Sequence, residues 1–363
     1  MKTHAHAPLL PLAAAASLLF AAPAGDSFEL GTKAGQSWTT SFSMSSSMEL
    51  VEQSMTQNGE DMGDAPEMEQ TQSESVELTF VDAIEAAAEG VPTKFTRTFE
   101  AISGLNEFNL EVDDGFMDPV NESHELESKL VEETVSFEET EDGWKIQPAE
   151  GSEIEAEELA ALSIHWSPDF LLPSEDVEEG ASWEIPASDA EEFFTLPGDL
   201  LVEFDAAEGG FHGMDGVEVE VIEAGAGAED EADVEGKLVV THAGTREVDG
   251  ESFVVLKLQL ERTLEVESDG GEMMQIGVEG EGDAPEIESE STILHTEEWE
   301  GKGEALWSPS LGRFTSFSIE IDVSTTDEIE TTMEMPGMGE FSFGNTTVEE
   351  GTRVIEMTTS LAK

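Results

Sequence analysis

Oxygen donors crowd one short stretch of the chain. Asp113, Asp114, Asp118, Asn121 and Glu122 fall within one turn-rich decapeptide around Gly115, and hard carboxylate and amide oxygens at close spacing suit calcium. The spacing is not that of an EF-hand loop. Asp113, Asp114 and Asp118 therefore stand as a candidate calcium site of irregular form, set against the plainer reading of an acidic loop. A second acidic run, Ala228–Asp233, has the same character. Softer donors cluster elsewhere: Met55, Met62 and Met68 surround a GDAPE pentapeptide at 63–67, Met273 and Met274 precede a second GDAPE at 282–286, and Met333, Met335 and Met338 lie in TMEMPGMGEF. Thioethers alone can hold Cu(I). They serve equally as adaptable apolar filler at hairpin tips, which is the preferred reading.

Other chemistries find less support. His124, His165, His212, His242 and His295 sit in no HExxH or HxH pattern, and there is no G-x-S-x-G or phosphate loop. Two carboxylates at a set separation hydrolyse glycosides, but in a chain with 84 Asp and Glu any such pair is uninformative. No catalytic residue is assigned, and a non-enzymatic protein is expected. No cofactor is expected other than calcium or another divalent cation.

The elements that must carry these residues are strands. Trp38, Thr40, Phe42, Met44, Ser46, Met48 and Leu50 alternate with Ser and Glu; Val254 to Val266 and Phe317 to Val323 repeat the device. A period of two marks half-buried strand, and one wet face marks antiparallel sheet. Strands of about 14 residues, roughly 45 Å long, imply long, curved sheet. Two short helices are predicted mid-chain: one from the capping box Ser152-Glu153-Ile154-Glu155 through AEELAALSIHW, the other opened by Ser188-Asp189-Ala190-Glu191.

Composition sets the address. MKTHAHAP followed by LLPLAAAASLLF and Ala22-Pro23-Ala24 reads as a secretory signal over residues 1–24. No cysteine is present, and the formal net charge is −70. So acidic a chain excludes nucleic acid and anionic membrane surfaces as natural partners. Persistent apolar alternation argues against disorder despite that charge. The expected organisation is an N-terminal β lobe over 25–150, a helical and Pro-rich connector over 151–200, and a C-terminal β lobe over 201–363. No transmembrane segment is expected after the leader.

Gly35-Gln36-Ser37-Trp38 and Gly180-Ala181-Ser182-Trp183 form a repeated G-x-S-W turn. Together with LLPSEDVEEGASW, GTREVDGESFVVLKLQLE and GKGEALWSPSLGRFTSFSIEI, the chain resembles an uncharacterised family of secreted bacterial proteins. In that family a "P…v.vGdsW" turn, a "vdG..v..i" hairpin and a "G.g...fd...Grl.s" hairpin follow one another along a β half-barrel. The resemblance covers mainly residues 169–323, with an echo over 28–145. It implies similarity to the half-barrel architecture of periplasmic lipoprotein and lipid carriers, and brings no catalytic residues with it.

The expectation is thus a secreted, periplasmic or cell-surface protein, mainly β, whose concave apolar face takes a lipid or other apolar small molecule. Phe42, Met44, Leu256, Leu258, Phe317 and Ile319 are the residues expected to line it, unless that face is an ordinary closed core. The alternative is an acidic envelope or surface structural protein with diffuse cation binding. The GDAPE copies read as hairpin turns, since Gly-Asp reverses the chain and Pro cannot join a ladder.

Overall fold

The computed structural model describes residues 28–62, 68–112, 119–141, 143–160, 162, 164, 166–194, 200–204, 233–269, 288–335 and 339–362. Within them run β1 (Ser37–Gln57), β2 (Glu60–Asp61), β3 (Met68–Ala88), β4 (Val91–Val112), β5 (Val120–Ser128), β6 (Thr134–Thr140) and β7 (Gly143–Pro148). The connector over 151–200 carries β8 (Ser182–Pro186) and helix α1 (Ala187–Phe194), and after it come β9 (Val202–Phe204), β10 (Asp233–Val248), β11 (Glu251–Asp269), β12 (Glu288–Ser308), β13 (Arg313–Met335) and β14 (Gly339–Leu361). All fourteen strands belong to one sheet, ordered β7-β6-β4-β3-β1-β14-β13-β12-β11-β10-β8, with β2, β5 and β9 on its margins. Every pairing is antiparallel.

The fold is mainly β, as the alternation required, but its strands outrun the apolar pattern. β1, β3, β12, β13 and β14 each hold 21 to 23 residues, about 70 Å at the usual rise. The pairing of β1 with β14 runs from Trp38↔Leu361 to Gln57↔Phe343 and joins the early and late strands into a continuous surface.

One half of each long strand builds the core. The inward residues lie in ladder rows, Phe42–Met357–Phe317–Ala305–Leu256 and then Met44–Ile355–Ile319–Gly303–Leu258. The connector seals these rows. Phe193 packs edge-on against Phe317 with centroids 5.0 Å apart, and Trp166 meets Phe42 at 5.2 Å.

The second predicted helix forms as α1. The first does not. Over 152–166 the described residues make i→i+3 turns, Glu158 N–H to Glu155 O, Ala160 N–H to Glu157 O and Leu162 N–H to Leu159 O. The capping-box side chains still work locally: Ser152 Oγ accepts from Ile154 N–H (3.1 Å) and Glu158 Oε2 from Glu155 N–H (2.8 Å). Leu159, Leu162 and Trp166 are buried as expected. Their seating against the sheet outweighs the few intrahelical bonds a short helix would add.

The G-x-S-W turns share a backbone geometry. Gly35 and Gly180 both adopt positive φ, 85° and 88°, where glycine alone is unstrained. Gly35 N–H bonds Ile84 O while Ile84 N–H bonds Gln36 O; Gly180 N–H bonds His242 O while His242 N–H bonds Ala181 O. Each partner strand then ends in a tight hairpin, Glu89-Gly90 (φ 51° and 84°) and Asp249-Gly250 (φ 52° and 85°). Positive φ at both central residues is the hairpin turn matched to strand twist. The N-terminal counterpart of the "vdG" hairpin is therefore Ala88-Glu89-Gly90-Val91, with Glu in place of Asp.

Candidate functional site

The six residues expected to line an apolar groove are brought together, but as filled core. Phe42, Met44, Leu256, Leu258, Phe317 and Ile319 are each at most 5% exposed. Aromatic side chains of the connector occupy the space a ligand would need, so the groove expected at these residues is closed.

The inner face changes character above that seal. The next rows along the strands are Ser46–Arg353–Ile321–Gly301–Leu260 and Met48–Gly351–Val323–Trp299–Arg262. Two cations here share one indole. Arg262 Cζ lies 4.1 Å from the Trp299 ring centroid and Arg353 Cζ 4.9 Å from it. Arg262 Nη1 bonds Glu297 Oε1 at 2.6 Å. Arg353 Nη1 donates to the Phe194 carbonyl at 3.5 Å, which ties the site to the end of α1. Arg353 Nε and Trp299 Nε1 are buried donors with no acceptor in the protein. Burial lowers the Arg353 pKa from its ordinary value, with Glu297 and Glu74 opposing.

Further up, the rows are Leu50–Glu349–Thr325–Glu297–Leu264 and Gln53–Thr347–Asp327–His295–Val266. Gln70 Nε2 donates to Glu349 Oε1 at 2.9 Å, and burial raises the Glu349 pKa. His295 Nδ1 lies 2.7 Å from Asp327 Oδ1, and this hydrogen bond raises the imidazole pKa. Beyond them Ile293, Ile329, Phe341 and Phe343 are half-buried. The described ring contacts and hydrogen bonds of the connector reach the inner face as far as Trp299 and Arg353. The inner face thus presents a cationic, donor-rich floor below an amphipathic wall.

These site residues escaped the sequence reading, although a signal existed. Arg262 occupies the same parity as Leu256, Leu258, Leu260 and Leu264, and Arg353 that of Ile355 and Met357. A cation at an apolar position in a chain with only 14 Lys and Arg marks a buried charge that needs partners.

Other expectations fall elsewhere. Asp113, Asp114 and Asp118 lie outside the described residues, as do both GDAPE copies, His165 and His212; the strands flanking each GDAPE copy, β1–β3 and β11–β12, are antiparallel neighbours. Among the described residues no three His, Asp or Glu side chains are grouped to hold a metal ion. Met55 and Met62 are exposed at the β1 tip, and Asn58 clasps the neighbouring β13–β14 tip through two bonds to Ser342.

No family model matches the chain, and no curated protein matches it. Among solved structures it is similar to OccK7 (OpdD) of Pseudomonas aeruginosa at 8% identity and a TM-score of 0.22, over 90% of this chain and 100% of that one. OpdQ of the same organism follows at 8% identity and a TM-score of 0.15, over 90% and 99%. Scores this low assign neither topology nor role.

Proposed function

We propose that this protein is a non-enzymatic envelope or secreted scaffold that binds an amphiphile carrying one anionic group, such as a long-chain fatty acid, on the upper half of its inner face. The observation that carries the reading is the pair Arg262 and Arg353 on Trp299, with two buried donors that no protein atom accepts, at the level of the last described contacts of the connector. An anionic head would take the Arg353 Nε–H and the indole N–H, and an alkyl tail would lie along Ile329, Ile293 and Phe343. Buried donors need acceptors, and apolar surface gains from cover. This keeps the carrier reading suggested by the resemblance to half-barrel carriers, while moving the ligand from the sealed rows to those above them.

Fluorescence of cis-parinaric acid titrated into the mature chain tests this. Saturable binding is expected, at least tenfold weaker in Arg353→Met and in Ile329→Asp. No saturable binding, or equal binding by Arg353→Met, would overturn the proposal.

A second reading has its own observation. A groove of about 780 Å³ is lined by Glu49, Glu261, Glu298, Glu300, Asp322 and Glu350 together with Arg262 and Trp299. An acidic structural protein that gathers cations diffusely would use this surface, and a salt-stabilised chain without amphiphile binding would favour it.

A further inference from the structure

The methionines around the first GDAPE copy gain an address from the register at the tip of β1. Gln57-Asn58-Gly59-Glu60 closes the β1–β2 hairpin with positive φ at both central residues, 52° and 75°, the two-residue turn matched to strand twist. It pairs Gln57 with Glu60 and Thr56 with Asp61. One step further, the Met62 N–H bonds the Met55 carbonyl at 3.0 Å. Met55 and Met62 are thus opposed across the hairpin and share one face, where facing Cβ atoms stand about 5 Å apart.

That face is the inner one, since Met55 pairs with Asn345 in the same file as Gln53 with Thr347 and Leu50 with Glu349. Met68 joins them. Gln70 turns inward to bond Glu349, and Met68, two residues earlier in β3, points to the same side. The pairing of Glu49 with Thr71 carries it to a level just short of Met55. Three thioethers therefore hold neighbouring positions on one surface. Core filling does not account for them: Met55 is 40% and Met62 58% exposed, whereas Met44 and Met357, which do fill the core, are 5% and 1%.

We propose that Met55, Met62 and Met68 form a Cu(I) site, their three sulfurs holding one monovalent ion. Thioethers are soft donors that suit Cu(I) rather than hard divalent ions, and the chain has no cysteine to compete for it. Unbranched side chains with three rotatable bonds can turn their sulfurs to a common point. The backbone beneath them is already held, for Asn58 N–H bonds Ser342 O at 2.8 Å and Asn58 Oδ1 accepts from Ser342 N–H at 3.1 Å, so little order has to be gained on binding. Exposed Glu60 and Asp61 on the same hairpin add a negative field that favours a cation. The site uses no arginine and goes beyond the amphiphile reading without resting on it.

Anaerobic titration of the full mature chain with Cu(I), in competition with bicinchoninate, tests the site. The protein is expected to withhold one equivalent of Cu(I) from the dye, and excess Ca²⁺ or Zn²⁺ is expected to leave it in place. Affinity should fall at least tenfold in each of Met55→Leu, Met62→Leu and Met68→Leu, while Met333→Leu binds as the parent does. Leucine keeps the apolar volume of methionine, so the three variants are expected to fold and to retain the apolar wall. Methionine methyl resonances, identified by their loss in the same variants, should shift for these three residues on adding Cu(I). Failure to withhold Cu(I), unchanged affinity in any of the three variants, or an equal loss in Met333→Leu would overturn the proposal.

Discussion

Glu49 of β1 and Glu350 of β14 are direct register partners across the seam that joins the early and late strands. The next outward row repeats the opposition, with Glu261 facing Glu300 and Glu300 facing Asp322. Like charges opposed across strands are destabilising, and salt screens exposed charges over about 10 Å at 0.1 M. The thermal midpoint is therefore expected to rise with added NaCl. Glu49→Gln should raise stability by about 0.5 kcal/mol at low ionic strength, a gain that shrinks at high salt. Denaturation of both proteins at two salt concentrations checks this; a gain independent of salt would refute the electrostatic origin.

Arg97 and Asp82 carry the opposite lesson. They too are register partners, on β4 and β3, and Arg97 is 1% exposed, beneath Phe80 at 4.1 Å from its ring centroid. Removing one member of such a pair leaves an uncompensated buried charge. Asp82→Ala is expected to cost about 3–5 kcal/mol, and the apolar double replacement Arg97→Met with Asp82→Leu to recover most of it. Urea unfolding midpoints distinguish these outcomes, and a double variant no more stable than Asp82→Ala alone would contradict the reasoning.

His295 and Asp327 introduce a pH dependence on the inner face. The hydrogen bond to Asp327 raises the folded pKa of His295; burial and Arg262 oppose the shift while Glu297 aids it. Because the folded value lies above the unfolded one, the stabilisation is fully present below about pH 6.5 and is lost as pH rises through the folded pKa. Asp327→Asn should lower the His295 pKa seen by NMR, and cost a few tenths to about 1 kcal/mol near pH 5.5. The cost should be smaller at pH 8.5. Equal costs at both pH values would count against a charged imidazolium.

Gly351 tests the seam sterically. A Cβ there would stand 1.9 Å from the Ser47 carbonyl oxygen, a backbone atom that cannot swing aside. Gly351→Ala should destabilise the protein by about 1–3 kcal/mol, with hydrogen exchange quickening first in β1 and β14. Faster exchange confined to other strands would place the close approach elsewhere.

Much of the architecture was legible because burial on one face writes a period of two. Phe42, Phe317 and Leu256 announced their strands and their shared inner face from spacing alone. α1 was legible from its opening residues. The turns over 152–166 were not, since Leu159 and Leu162 have the same apolar spacing whether a segment coils as helix or is drawn into turns by a neighbouring sheet. The upper parts of the strands were also hidden: there both faces carry polar residues, so the alternation fades although the ladder hydrogen bonds continue.

Local chemistry, therefore, was determined by the sequence alone: sheet with an acidic wet face, Gly turns ahead of Trp38 and Trp183, and a set of apolar residues bound to meet. Tertiary structure decided what covers them. Whether Phe42 and Phe317 faced a ligand or Phe193 depended on where the connector folded back, and whether Arg353 met Trp299 depended on register across three strands. Both are outcomes of long-range packing, in which side chains far apart in the chain compete for the same surface, and a pattern of spacing carries no information about which of them wins.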